Sequence, residues 1–174
     1  MWQRTYMTIQ LVIMRHAKAE RTAATDHARQ LSDRGRRDAV AAGRMLARSG
    51  VSPELALVST AARAQETWTG VMQGMQIDLS PTLDRGLYTG SAEDVIELLT
   101  TLDESVTSVM VVGHNPAMEM VSHALDDGSG PAAARTSRDK SYPTSAWSTF
   151  LGRESWDQVR GGSLTLTDFG VGRG

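Results

Sequence analysis

Short apolar runs that alternate with segments of helical period constrain this chain more than any other feature. Residues 9–14 and 109–112 are rich in Ile, Val, Leu and Met, and residues 55–58 form a third such run. Each has the length of a buried strand rather than of a helix. After the first, Ser32 can N-cap a helix whose small or apolar positions Ala39, Val40, Gly43, Leu46 and Ala47 keep the 3.6-residue period until Gly50. After the second, Ser59 and Thr60 are cap candidates, and Ala61, Ala64, Trp68, Val71, Met72 and Met75 follow at helical spacing. Ser91 with Asp94 makes a capping box ahead of Val95, Leu98, Leu99 and Leu102. After the third strand, Asn115 and Pro116 match N-cap and N1 preferences, with Met118, Val121 and Leu125 as the buried stripe. Residues 126–142 are rich in Gly, Ala, Ser, Asp and Arg and read as a mobile surface loop. Residues 146–151, 156–160, the Gly161-Gly162 pair and residues 163–167 read as strand, strand, turn and strand. The pattern predicts a three-layer α/β/α domain: a mostly parallel sheet, helices on both faces and an antiparallel edge strand.

Length and charge narrow the function classes. The 174 residues form one expected domain, 1–174, with residues 1–6 as a frayed extension and no fixed-period repeat. With 18 Lys and Arg against 20 Asp and Glu, the net charge of -2 offers no global field for nucleic acid or anionic membrane. No cysteine is present, which excludes a thiolate nucleophile and Cys-ligated metal centres and fits a reducing cytoplasm. The longest early apolar run is far below the ~20 residues of a membrane helix. A soluble, cytoplasmic protein is expected.

Three strands end in polar residues suited to an anion. Arg15 and His16 follow the first, Ser59 and Arg63 the second, and Gly113, His114 and Asn115 the third. In an open α/β sheet such ends face one crevice, where ligands bind. Arg63 falls in the first turn of its helix, where the macrodipole disfavours a cation and an anion in the crevice would compensate. His114 and Asn115 precede another helix N-terminus, which also favours an anion. Two arginine forks could clamp a phosphoryl group while one histidine attacks phosphorus and the other donates a hydrogen bond. A neutral imidazole suits this double displacement, and the arginines offset the charge without a metal or other cofactor. His27 and His123 lack this context and read as surface residues, and Trp68, Trp147 and Trp156 as core or interface residues.

The segments LVIMRHAKAE at 11–20, LSDRGRRDA at 31–39, LVSTAARAQETW at 57–68 and VVGHNPAMEMV at 111–121 together resemble the histidine phosphatase superfamily, also called phosphoglycerate-mutase-like. Within it the chain is similar to the small bacterial phosphohistidine phosphatases of the SixA type. The resemblance implies that His16 is the nucleophile, that Arg15, Arg63 and His114 complete the phosphate pocket, and that Lys18, Ser59 and Asn115 lie close by as substrate-binding residues. In the mutase and acid-phosphatase branches a carboxylate protonates the leaving oxygen. The stretch LDRGLYTGS at 83–91 falls near that place and leaves Asp84 as the candidate general acid.

The leading expectation is a metal-independent hydrolase acting on a phosphohistidine-bearing protein, since a phosphohistidine ring is a far better leaving group than an alkoxide and needs no dedicated acid. Two alternatives stand beside it: a broad phosphomonoesterase for small phosphorylated substrates using the same nucleophile, and a non-catalytic phosphate-binding module.

Overall fold

The computed structural model describes residues 8–153 and 155–174; the expected extension at residues 1–6 lies outside them. Six strands, β1 Ile9–Arg15, β2 Leu55–Ser59, β3 Thr82–Asp84, β4 Ser108–Gly113, β5 Ala146–Gly152 and β6 Thr165–Val171, form one sheet in the order β3-β2-β4-β1-β5-β6. β3, β2, β4 and β1 run parallel, β5 pairs antiparallel with β1, and β6 pairs antiparallel with β5. The mostly parallel α/β sheet with an antiparallel edge agrees with the sequence reading. Among the described residues no helix is long and apolar enough to cross a membrane.

Alternation along the central strands builds two cores. Leu11 and Ile13 of β1, with Val109 and Val111 of β4, face α4 (Ala92–Thr100) and α5 (Ala117–Leu125) through Val95, Leu99, Met118 and Val121. Val12, Met14, Met110 and Val112 face the opposite side, where α1 (Asp33–Arg48) and α2 (Ala62–Met75) bring Ala42, Leu46, Trp68 and Val71. Trp68, Trp147 and Trp156 are fully buried. Helices therefore leave neighbouring β1 and β4 on opposite faces, which opens a crevice at the strands' C-terminal ends. Register keeps those ends level: Arg15 pairs with Gly113, and Val58 with Val112.

Ser32 caps α1 by accepting from Gly35 N, and Ser91 with Asp94 forms the reciprocal box at α4. Other local expectations are corrected. Neither Ser59 nor Thr60 caps α2; Ala61 does so without a side-chain bond. Asn115 does not cap α5 and Pro116 is not its first residue, because the helix starts at Ala117 with Pro116 as cap. Residues 156–160 are not a strand: Trp156–Gln158 form a 3-10 turn with the Trp156 indole donating to Val106 O, and β5 already has β1 and β6 on its two edges. The stretch 126–142, read as a loop, contains α6 (Ala132–Lys140). Its inward residue is Arg138, paired with the buried Asp126 at 3.0 Å and donating to Ser122 O, so no apolar stripe marks it. A short helix α3, Gly86–Thr89, follows β3.

Candidate active site

His16 follows β1 directly and is held by its own backbone: its N–H donates to Gly113 O and its carbonyl accepts from Ser145 N. The imidazole is 9% exposed. Its Nδ1 lies 2.6 Å from Ala17 O, a partner that can only accept, so Nδ1 carries the proton. On the other side Arg63 Nε donates to Nε2 at 3.2 Å. Both contacts select the same tautomer, with a lone pair on Nε2. Burial, reinforced by His114, Arg63 and Arg15, pushes the His16 pKa down to about 3. The ring is neutral at physiological pH.

Arg63 comes from the first turn of α2 and is itself buried. The sequence left this cation without a local partner; the structure supplies Asp26, whose carbonyl accepts from Nη1 at 2.7 Å and whose Oδ2 accepts from Nη2 at 3.1 Å. Tyr88 OH donates to the same oxygen at 2.9 Å. The Tyr88 hydroxyl, with Arg63 and Arg29, holds the Asp26 carboxyl down at about 2, so it stays ionised. His114 closes the other side. Its ring centroid is 5.0 Å from that of His16, and Ser59 Oγ, which also accepts from Ala61 N, lies 2.8 Å from its Nε2. Burial and then the Arg63 charge push the His114 pKa down to about 4. Its Nδ1 and the Nε of Arg15 are buried with no partner among the described residues. Arg15 is half-buried, with Nη1 donating to Tyr142 O at 2.9 Å.

A neutral imidazole whose Nε2 lone pair faces a guanidinium N–H, beside a second guanidinium and a second neutral imidazole, is an arrangement for binding an oxyanion beside a nucleophile. The comparisons agree with it. Residues 11–93 match the model of the histidine phosphatase superfamily, branch 1. An uncharacterised protein of Mycobacterium tuberculosis is 33% identical over 92% of this chain and 100% of its own length. A phosphohistidine phosphatase SixA homolog of Haemophilus influenzae is 36% identical over 61% of this chain and 70% of its own. The chain belongs to the histidine phosphatase superfamily. Among solved structures, that of the protein histidine phosphatase SixA complexed with tungstate superposes with a TM-score of 0.77 at 27% identity, covering 94% of this chain and 97% of that one.

The remaining predicted residues of this superfamily member fall into two groups. Ser59 touches His114 directly, whereas Asn115 spends its amide on Glu119 Oε2 and Tyr142 O, the carbonyl that also takes Arg15. Lys18 is exposed, and its carbonyl accepts from Ser32 N and Oγ, tying the loop after β1 to the start of α1. Asp84 ends β3 beside Ser59 in register, and its Oδ1 accepts from Gly86 N at 2.6 Å. The sequence reading missed Asp26, Tyr88 and Tyr142. It also placed His27 on the surface, although its Nε2 meets Thr60 Oγ1 at 2.9 Å and its ring packs edge-on against Tyr88. The one available signal was Arg63 itself, a helix-start cation that required an anion. His123 is a surface residue, 3.6 Å from Asp139. Among the described residues, no group of three or more His, Asp or Glu is placed to hold a metal ion.

Proposed function

We propose that this chain hydrolyses phosphohistidine on protein substrates through a covalent phosphohistidine on His16. The observation that carries the reading is the tautomer lock, Nδ1–H to Ala17 O with Arg63 Nε–H on Nε2, which leaves a neutral ring whose Nε2 lone pair is directed at the Arg63 guanidinium. The phosphoryl group enters between the two side chains, Arg63 Nε–H turns from Nε2 to a phosphoryl oxygen, and the released lone pair attacks phosphorus while the bond from phosphorus to the substrate's ring nitrogen breaks; solvent protonates the departing imidazole. Water then attacks the phosphoryl group on His16, the phosphorus–Nε2 bond breaks with the electron pair returning to the ring, and inorganic phosphate leaves. Arg15 and Arg63 offset charge on the equatorial oxygens, His114 donates to one of them, and Ser59 orients His114. Asn115 acts through Tyr142 O on Arg15, and Lys18 lies on the rim. The tungstate bound by the related SixA, an oxyanion like phosphate, supports this use of the pocket.

The acid question supports the substrate class. An alkoxide needs a proton as it leaves, whereas a phosphohistidine nitrogen is readily protonated by water. Asp26, the carboxylate bonded to Arg63, is held ionised near 2 and has no proton to give at pH 7. Asp84 Oδ1 already accepts a backbone N–H from Gly86. Phosphate release from a phosphohistidine-bearing protein and from a phosphoserine peptide, each with wild type and His16→Ala, tests the reading. The expected result is release dependent on His16 and faster from phosphohistidine by roughly 100-fold or more, the scale of a missing general acid. Equal rates on both, with a large loss on phosphoserine in Asp84→Asn, would replace it with the phosphomonoesterase. Binding without release would replace it with the non-catalytic module.

A further inference from the structure

Charge is distributed unevenly along the chain. Residues 15–48 hold 9 of the 18 Lys and Arg and only 4 of the 20 Asp and Glu, a local charge of +5 that leaves -7 for the rest. The exposed side of α1 carries most of the excess. Arg34, Arg37, Arg44 and Arg48 are spaced three, seven and four residues apart, with Ala41 filling the remaining place in one stripe about 21 Å long. Arg34 pairs with Asp38, and Arg36 beside the stripe is occupied by Leu31 O and Glu66. Arg37, Arg44 and Arg48 are exposed and have no carboxylate partner among the described residues.

The stripe is not merely solvated charge. Arg37 and Arg44 border a groove of about 330 Å³ floored by Val40 and Ala41 and closed at one side by Gly174. Met45, 39% exposed, adds apolar surface next to it. Three arginines in and just beyond the first turn of α1, at 34, 36 and 37, also run against the helix dipole; Arg34 and Arg36 have carboxylate partners there, and among the described residues Arg37 has none. The start of α1 abuts the loop that follows His16, since a Cβ on Gly35 would sit 2.0 Å from Lys18 O. The stripe thus begins on the turn of α1 that meets the loop after His16.

We propose that the exposed face of α1 docks an acidic helix face of the protein that carries the phosphohistidine. This rests on the function proposed above. Apolar floor between arginines fits an amphipathic helix with Asp or Glu at matching spacing. An extended polyanion such as RNA, or an anionic bilayer, would bring the -7 remainder of the molecule into repulsion.

A helical phosphohistidine peptide with Glu along one face, and the same peptide with Gln in place of Glu, are the probes, with N-phosphoimidazole as the small substrate. In wild type at low salt, kcat/KM for the Glu peptide is expected to exceed that for the Gln peptide by about tenfold. Roughly 0.3 M salt should erase most of that preference. Arg37→Glu with Arg44→Glu should remove it, Arg37→Gln with Arg44→Gln should reduce it, and both should leave N-phosphoimidazole hydrolysis unchanged. Fluorescence anisotropy of the labelled, unphosphorylated peptides reads docking without turnover. Equal affinity of wild type and the Glu variant for the Glu peptide would overturn the docking face, as would tighter binding to short RNA or to phosphatidylglycerol vesicles. Docking that persists when none of the phosphohistidine substrates is hydrolysed would keep the face and reject the phosphatase reading.

Discussion

His16 owes its chemistry to two neighbours that both demand the same tautomer, and to burial that keeps the ring from charging. Protonation would remove the attacking lone pair, so the acid limb of activity belongs near the folded-state pKa of about 3, not near the 6.5 of a free imidazole. His114, held near 4, titrates in the same low region. A kcat/KM profile on N-phosphoimidazole, corrected for its spontaneous hydrolysis, should stay nearly flat from pH 7 to about 5; a fall centred on 6.5 would contradict the account. Stability follows the opposite demand. Above 6.5 both states hold these rings neutral, whereas between 6.5 and the folded-state values the unfolded chain binds protons that the native site refuses, so stability falls as pH falls through that window. Urea midpoints at pH 7 and pH 5 check the sign. Asp26 bears on Arg63 in the same way that Ala17 bears on His16. Asp26→Ala should leave Arg63 with the backbone carbonyl but without the carboxylate anchor and lower kcat/KM by roughly tenfold; an unchanged value would show that Arg63 is positioned without that carboxylate.

At the scale of elements, α1 and α2 meet backbone to backbone. A Cβ on Gly43 would lie 2.2 Å from Val71 O, and one on Gly74 2.1 Å from Val40 O. Gly43→Ala gains about 1 kcal/mol of helix propensity but forces helices apart at a contact no rotamer can relieve, which costs about 1–3 kcal/mol. A net lowering of the urea midpoint is expected, and a raised midpoint would contradict the packing. These two helices were legible in the sequence because their apolar and small residues keep a helical period. α6 was not, because what it buries is Arg138 against Asp126, a polar contact that leaves no periodic trace. Asn115 resembled a cap and instead bridges Glu119 and Tyr142 O. The four central residues Arg15, His16, Arg63 and His114 stand at strand ends or the first turn of a helix, positions that patterning locates. Asp26 and Tyr88 come from polar loop and short-helix segments whose approach to Arg63 depends on the tertiary fold.

The whole molecule combines a level row of strand ends, where the chemistry gathers, with a charge asymmetry that sets α1 apart from a net acidic remainder. Under the proposed function the first would serve attack on phosphorus, and under the docking proposal the second would select the protein that brings it. Salt should therefore slow turnover of an acidic protein substrate far more than turnover of N-phosphoimidazole, and an equal salt response for both would separate recognition from this surface. The central claim, that Nε2 of His16 becomes phosphorylated, is tested most directly by quenching wild type in alkali during turnover of a phosphohistidine protein and mapping the phosphoryl group by mass spectrometry. The account predicts one acid-labile, alkali-stable phosphoryl group on the peptide containing His16, absent in His16→Ala. Turnover with no such adduct, or an adduct on any other residue, would contradict it.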